Sequence, residues 1–346
     1  MRHFGKTLSA SLALVTMAGA ALAQDDVLYV AGPGGSIEQA LRDTVFPAFT
    51  EETGLRVEYV AGNSTDTLAK LQAQAGNQQI DVAMIDDGPM AQAVALGFCR
   101  DLDLGDIKDD IYDIALFPDG KSVAYGLLGS GIVYNEEYFA DQGWDAPTSL
   151  EDLTDEKYAG KLVIPPLNNT YGVLTLVQVA KMRGGSETDI EPGFAAFTDE
   201  IAPNVLAFEP SPGKMTELLQ SGQAVVAIWG SSRAKALADT GFPAAFVYPK
   251  EGGAVIGTGI CPVAGGAEKP EALTFIDRIL EPEMQVAIAK TSGLAPVNRK
   301  AELAPEFQVG MPYGEEQINQ LVSVDWPTIN EKRAEWNARW TREVER

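Results

Sequence analysis

The sequence predicts an α/β fold of two lobes, and three observations point to it. Apolar runs of strand length alternate with stretches of helical spacing along almost the whole chain, the pattern of largely parallel sheets covered by helices. Ala224–Ile228 is continuously apolar, as a strand covered on both faces requires, and it ends at Trp229, where Gly230-Ser231-Ser232 opens a helix. Length supplies the third observation. Without residues 1–23 the chain keeps 323 of its 346 residues, more than the roughly 250–300 at which a single core stops growing.

Those first 23 residues read as a secretory signal. Arg2 and Lys6 give a basic start, Leu8–Met17 an apolar core, and Ala21-Leu22-Ala23 a small-residue cleavage site before Gln24. The apolar core is too short to span a bilayer, and no cysteine follows it to carry a lipid anchor. The mature chain is expected to be soluble and exported, most simply to a Gram-negative periplasm.

Val27–Ala31 reads as the first strand, followed by Gly32-Pro33-Gly34-Gly35. Ser36-x-x-Gln39 is a capping-box pattern that starts a helix toward Val45, with Pro47 bending or restarting it before Gly54. Arg56–Ala61 alternates in polarity and reads as a strand nearer an edge; Leu68, Leu71 and Ala75 then fall at helical spacing. Asp81–Ile85 is the third strand, with Asp86-Asp87-Gly88-Pro89 at its tip. One aspartate is expected to cap the following helix and the other to face a cleft. Tyr125–Asn135 and Ala254–Pro262 are apolar runs that suit crossings between lobes. Lys161–Pro165 is a strand, and Asn168–Tyr171 opens the helix Gly172–Met182. The chain ends in an amphipathic helix, about Thr328–Val344, with Trp326, Trp336 and Trp340 expected to pack against a lobe.

Open α/β sheets bind ligands outside the carboxyl ends of their strands, where helix N-termini offer unpaired N–H groups and partial positive charge. Three strand tips carry candidate groups here: Gly34, Gly35 and Ser36; Asp86 and Asp87; and Trp229 with Ser231, Ser232 and Arg233. Thr170 and Tyr171, at the opening of another helix, and Thr258, in the second crossing, join them. Each has a plain structural alternative: a tight turn, a helix cap, a core tryptophan, a solvated arginine. Their recurrence at strand tips favours a site.

His3 is the only histidine and falls in the signal, so the mature chain has none. Ser-His-Asp and Cys-His catalysis and every histidine metal site are thereby excluded. A hydrolase using Asp86 and Asp87 is disfavoured, because adjacent residues on one tip rarely face a common point. Cys99 and Cys261 are the only cysteines. An oxidising compartment makes a disulfide the default, though spacing does not show that their Cα atoms approach. The net charge of −23, or −25 once Arg2 and Lys6 leave, repels nucleic acid and anionic membrane. It equally suits a protein bathed in salt, so it does not name a ligand.

GIVYNEEYF (131–139), PNVLAF (203–208), SGQAVVAIWGSSRA (221–234), VYPKEGG (247–253) and GLAPVN (293–298) occur in this order. Together they make the mature chain resemble the extracellular solute-binding proteins of ABC importers, most of all the spermidine/putrescine-binding group. The resemblance implies a periplasmic binding protein-like fold of type II: two α/β lobes, a ligand cleft and a crossing-strand hinge. Residues 24–131 with 257–305 would form lobe 1, and 132–256 with 306–346 lobe 2. It implies capture rather than catalysis, no cofactor, and a monomer that delivers its solute to a membrane permease driven by an ATPase.

The site departs from the polyamine binders. Where they place a tryptophan and an aspartate beyond PKEGG, this chain has Ile256 and Thr258. Asn168–Gly172 replaces their acidic helix opening, and Leu294 and Pro327 replace an aromatic and a glutamine. A polyammonium chain needs several carboxylates, because each desolvated unpaired charge costs several kcal/mol. The expected ligand is a small polar amine, polyamine-like or a zwitterion. The alternatives are an oxyanion held by Arg233 and the helix starts at Ser36, Thr170 and Ser231, or ferric iron. Iron is disfavoured because the ten tyrosines include no adjacent pair.

Overall fold

The computed structural model describes residues 26–345, so the expected signal lies outside the described residues. Ten strands can be numbered in chain order. They are β1 (Val27–Gly32), β2 (Arg56–Ala61), β3 (Val82–Asp86), β4 (Val123–Asn135) and β5 (Leu162–Ile164). Then come β6 (Val205–Phe208), β7 (Val226–Gly230), β8 (Ala244–Val247), β9 (Gly253–Pro262) and β10 (Leu321–Val322). They form one sheet in the order β2-β1-β3-β9-β4-β7-β5-β6, with β10 beside β9 and β8 beside β4.

The sheet is continuous because two long strands serve both lobes. β3 runs antiparallel to the second half of β9, from Asp86 opposite Thr258 to Val82 opposite Pro262. β7 runs antiparallel to the second half of β4, from Ser130 opposite Gly230 to Tyr134 opposite Val226. Between these pairings, Leu127–Gly129 and Val255–Gly257 are paired chiefly with each other. That narrow ribbon joins the two half-sheets. Gly129 sits in it beneath the Tyr248 ring, where a Cβ would lie 2.3 Å from the nearest ring carbon. Only glycine lets the aromatic lie flat on the ribbon.

On either side of the ribbon, each half-sheet is covered on both faces, which explains its apolar strands. In lobe 1, Leu28, Val30 and Met84 meet Phe49, Phe275 and Ile276 on one face. On the other face Ala31 and Ala83 meet Leu68, Leu71 and Met90. In lobe 2, Leu162, Ile164 and Val226 pack on Leu176, Val177 and Phe194, and Val133 and Val163 on Met215 and Leu219. Met311, Ile318 and Leu321 join the lobe 1 core. The segment 306–322, expected with lobe 2, turns these apolar side chains to that core while Gly310 lies close against Lys235 of the helix Ser231–Ala238. Cys99 and Cys261 form a disulfide with Cα atoms 5.8 Å apart, stapling the segment after the helix Asp87–Ala95 to β9.

The last helix, Trp326–Glu343, starts where Asp325 accepts the Thr328 N–H at 3.2 Å. Trp326, Ile329, Trp336 and Trp340 recur at three- and four-residue spacing and are buried. Trp340 meets Phe194, Phe197 and Phe208 in edge contacts within lobe 2. The helix also touches lobe 1, where Asn330 Nδ2 donates to the Gly88 carbonyl at 2.9 Å.

Candidate functional site

The carboxyl ends of β1, β2 and β3 in one lobe and of β5, β6 and β7 in the other border a common cavity of about 640 Å3. Another cavity, of about 730 Å3, lies between the helix Ser231–Ala238 and the segment 308–320. It meets no set of strand tips, and of the three charged residues on its wall Lys235 and Asp239 already pair at 2.7 Å, leaving Glu316. The first cavity has the geometry and unspent chemistry of a site.

Ten of the twelve residues singled out from sequence border that cavity: Gly34, Gly35, Ser36, Asp86, Thr170, Tyr171, Trp229, Ser232, Arg233 and Thr258. Asp87 and Ser231 do not. Asp87 opens the helix Asp87–Ala95 and is turned inward, accepting the Gly88 N–H at 2.9 Å and the Gly257 N–H at 3.1 Å. It thus ties the first turn of its helix to the ribbon, whereas Asp86, at the N-cap position, makes no side-chain capping bond, so the expected aspartate cap is absent. Burial pushes its carboxyl up to about 7, against the Trp326 indole and these backbone donors. Ser231, the first residue of its helix, is fully buried. Successive residues on a helix point about 100° apart, so the next two, Ser232 and Arg233, reach the cavity instead.

Asp86 faces the cavity from β3. Ser64 Oγ donates to its Oδ2 at 2.9 Å and accepts the Asp86 N–H at 3.1 Å. Burial raises the Asp86 carboxyl above its usual range, and the Ser64 hydrogen bond opposes this. An ammonium placed alongside would restore the ionised form. Thr258 lies opposite Asp86 in the ladder, but its hydroxyl donates to the Gly126 carbonyl at 2.8 Å and is largely spent on β4.

The lobe 2 wall has the opposite character. Arg233 is exposed and forms no ion pair among the described residues. Tyr171 lies beside it, and burial pushes the Tyr171 hydroxyl up to about 12, with the Arg233 charge pulling it down. Gly230 makes room for this hydroxyl, since a Cβ there would lie 2.2 Å from it. Trp229 borders the cavity but is only 3% exposed and packs with Val133, Val163 and Met215. It is a wall of the cleft more than an open plate.

Helix starts converge on the same space. Gly35, before Ser36, and Gly230, before Ser231, give no side-chain cap, which leaves N–H groups there without side-chain partners. The capping box expected at Ser36 is absent, because Gln39 Nε2 bonds Asp43 at 2.8 Å instead. Asn169 caps the helix Thr170–Met182 through the Tyr171 N–H at 3.0 Å, and Asn63 caps Ser64–Ala73 through the Asp66 N–H at 2.8 Å. Sequence reasoning missed Asn63, Ser64 and Thr65, although they follow β2 by the same strand-tip rule. It also missed Arg333, whose signal is an arginine interrupting the apolar stripe of the last helix.

Residues 44–312 match the family model of bacterial extracellular solute-binding proteins. The spermidine/putrescine-binding periplasmic protein of Escherichia coli K12 is 26% identical, with 88% of each chain covered. A periplasmic protein of Salmonella typhimurium LT2 named for 2-aminoethylphosphonate binding is 27% identical over 185 residues, 53% of this chain and 50% of that one. A crystal structure of an ABC transporter protein from Clostridium perfringens superposes with a TM-score of 0.82 at 25% identity, covering 92% of this chain and 99% of that one.

Proposed function

The chain belongs to the bacterial extracellular solute-binding proteins of ABC importers, and we propose that its solute is a small zwitterion with an amine at one end and an oxyanion at the other. The observation that carries this reading is the charge on the cavity wall. Asp86 is its one carboxylate among the described residues, and Arg233 and Arg333 are its two cations. An ammonium against Asp86 gains a charge-assisted hydrogen bond in a desolvated site. The oxyanion is served by Arg233 and by the helix starts at Ser36 and Thr170. A polyamine would meet one carboxylate and two guanidiniums, and its remaining ammonium groups would lose water without a partner.

Both lobes contribute contacts, so a ligand that touches Asp86 and Arg233 together favours the closed arrangement by the contacts closure adds. In this reading lobe 1 ends near Gly131 and resumes near Gly257, and the ribbon between them bends. The protein acts in the periplasm as a monomer, without a cofactor, and hands its solute to a permease powered by an ATPase. Titration calorimetry with 2-aminoethylphosphonate, 3-aminopropionate and spermidine tests the ligand class. Micromolar or tighter binding of an amino-oxyanion with spermidine at least tenfold weaker is expected. The reverse order would return the ligand to the polyamines.

A further inference from the structure

Most arginines among the described residues of this acidic chain are neutralised by carboxylates. Among the described residues, Arg42, Arg56, Arg183, Arg278, Arg299, Arg339 and Arg342 each pair with an acidic side chain. Arg100 instead bonds the Lys269 carbonyl at 2.7 Å. The two that remain, Arg233 and Arg333, share the wall of the same cavity. In a chain with 49 acidic and 26 basic residues, two guanidiniums are thus left without an acidic partner in one place among the described residues.

Arg333 has a position that packing alone does not explain. It lies four residues after Ile329 and three before Trp336, on the stripe that buries Trp326, Ile329, Trp336 and Trp340. An apolar residue there would continue the stripe at no electrostatic cost. The guanidinium reaches only backbone oxygens, with Nη2 at 3.5 Å from the Leu167 carbonyl and 3.4 Å from that of Asn168. Those are long contacts made by one of its three nitrogens, and burial lowers its affinity for the proton. Leu167 and Asn168 run into the Asn169 cap of the helix Thr170–Met182. The charge therefore stands next to an N-terminus that already favours anions.

We propose that Arg333 is a specificity-determining residue that adds a second cation to the oxyanion pole. The head group selected would then carry two negative charges, as a phosphonate or phosphate monoester does, rather than the single charge of a carboxylate. This rests on the zwitterion reading above and sharpens it. Two guanidiniums and one carboxylate leave the wall with one net positive charge. A ligand with one ammonium and a dianionic head carries one net negative charge and balances it. An amino-carboxylate is neutral and leaves one arginine unmatched. Arginine also suits this task geometrically, because its fork of donors fits a tetrahedral oxyanion at two oxygens at once.

The matched probes are 2-aminoethylphosphonate and 3-aminopropionate, which share an amine and a two-carbon spacer and differ only in the acid. In the full mature protein, titration calorimetry should show the phosphonate bound at least tenfold more tightly. Arg333→Gln should weaken phosphonate binding at least tenfold and change 3-aminopropionate binding less than threefold, so that the preference collapses. Arg333→Lys should restore part of it. A thermal melt of each variant separates misfolding from loss of charge, and a variant that melts early is replaced by Arg333→Met, which keeps the stem. If Arg333→Gln weakens both probes equally, or neither, Arg333 is structural and the proposal falls while the zwitterion reading stands. If neither probe binds the wild-type protein, the zwitterion reading itself falls and takes this assignment with it.

Discussion

The two walls of the cleft use the same scaffold to opposite electrostatic ends. Lobe 1 presents the Asp86 carboxylate, braced at 2.9 Å by Ser64 from the helix start that follows β2. Lobe 2 presents Arg233 and Arg333, neither held by a carboxylate among the described residues. Lobe 1 is also the stapled half, with its disulfide and the Asp87 tie to β9. Lobe 2 has no disulfide among the described residues and relies on aromatic packing around Trp340 and Trp229. Charge is therefore divided between the two walls, and the disulfide lies on the side of the carboxylate.

Substitutions can disturb either half separately. The largest expected effect is on lobe 2: Trp229→Ala should lower unfolding free energy by about 3–5 kcal/mol in urea titrations, because the buried indole leaves a cavity. It should also weaken ligand binding at least tenfold, about 1.4 kcal/mol. Unchanged affinity in a folded variant would take Trp229 off the cleft wall. Next, replacing Cys99 and Cys261 together by serine should cost about 2–4 kcal/mol while leaving ligand affinity within about twofold, since neither residue borders the cavity. An affinity loss of tenfold would mean that the staple shapes the site.

Smaller and more diagnostic is the pH dependence of Asp87. Its carboxyl titrates near 7 when folded and near 3.8 in an ordinary setting. The folded form therefore holds a proton that the unfolded form has released. Stability contributed by this group is full below about pH 4 and declines as pH rises to about 7. Asp87→Asn removes the titration while keeping an acceptor for the Gly257 N–H. The variant should gain on the wild type between pH 4 and 8, by a few kcal/mol at most. A constant difference across that range would show that Asp87 is ionised in the fold.

Much of this division was legible in the chain. β1, β2 and the two crossing strands fall within two residues of their expected bounds, because buried strands and their glycine boundaries leave strong local patterns. The strand tips were legible for the same reason. Orientation within a first helical turn was not. Asp87 and Ser231 differ from Asp86 and Ser232 by one position, and a rotation of about 100° decides which reaches the cleft. Arg333 lies on an element distant in sequence from every strand tip that borders the cavity, and only tertiary packing brings it there.

The central claim is that one solute joins a carboxylate wall to a cationic wall. A crystal structure of the mature protein with 2-aminoethylphosphonate tests it most directly. The amine is expected within hydrogen-bond distance of Asp86 and the phosphonate oxygens on Arg233, with the lobes closed around them. A ligand lodged elsewhere, or turned with its phosphonate toward Asp86, would contradict it.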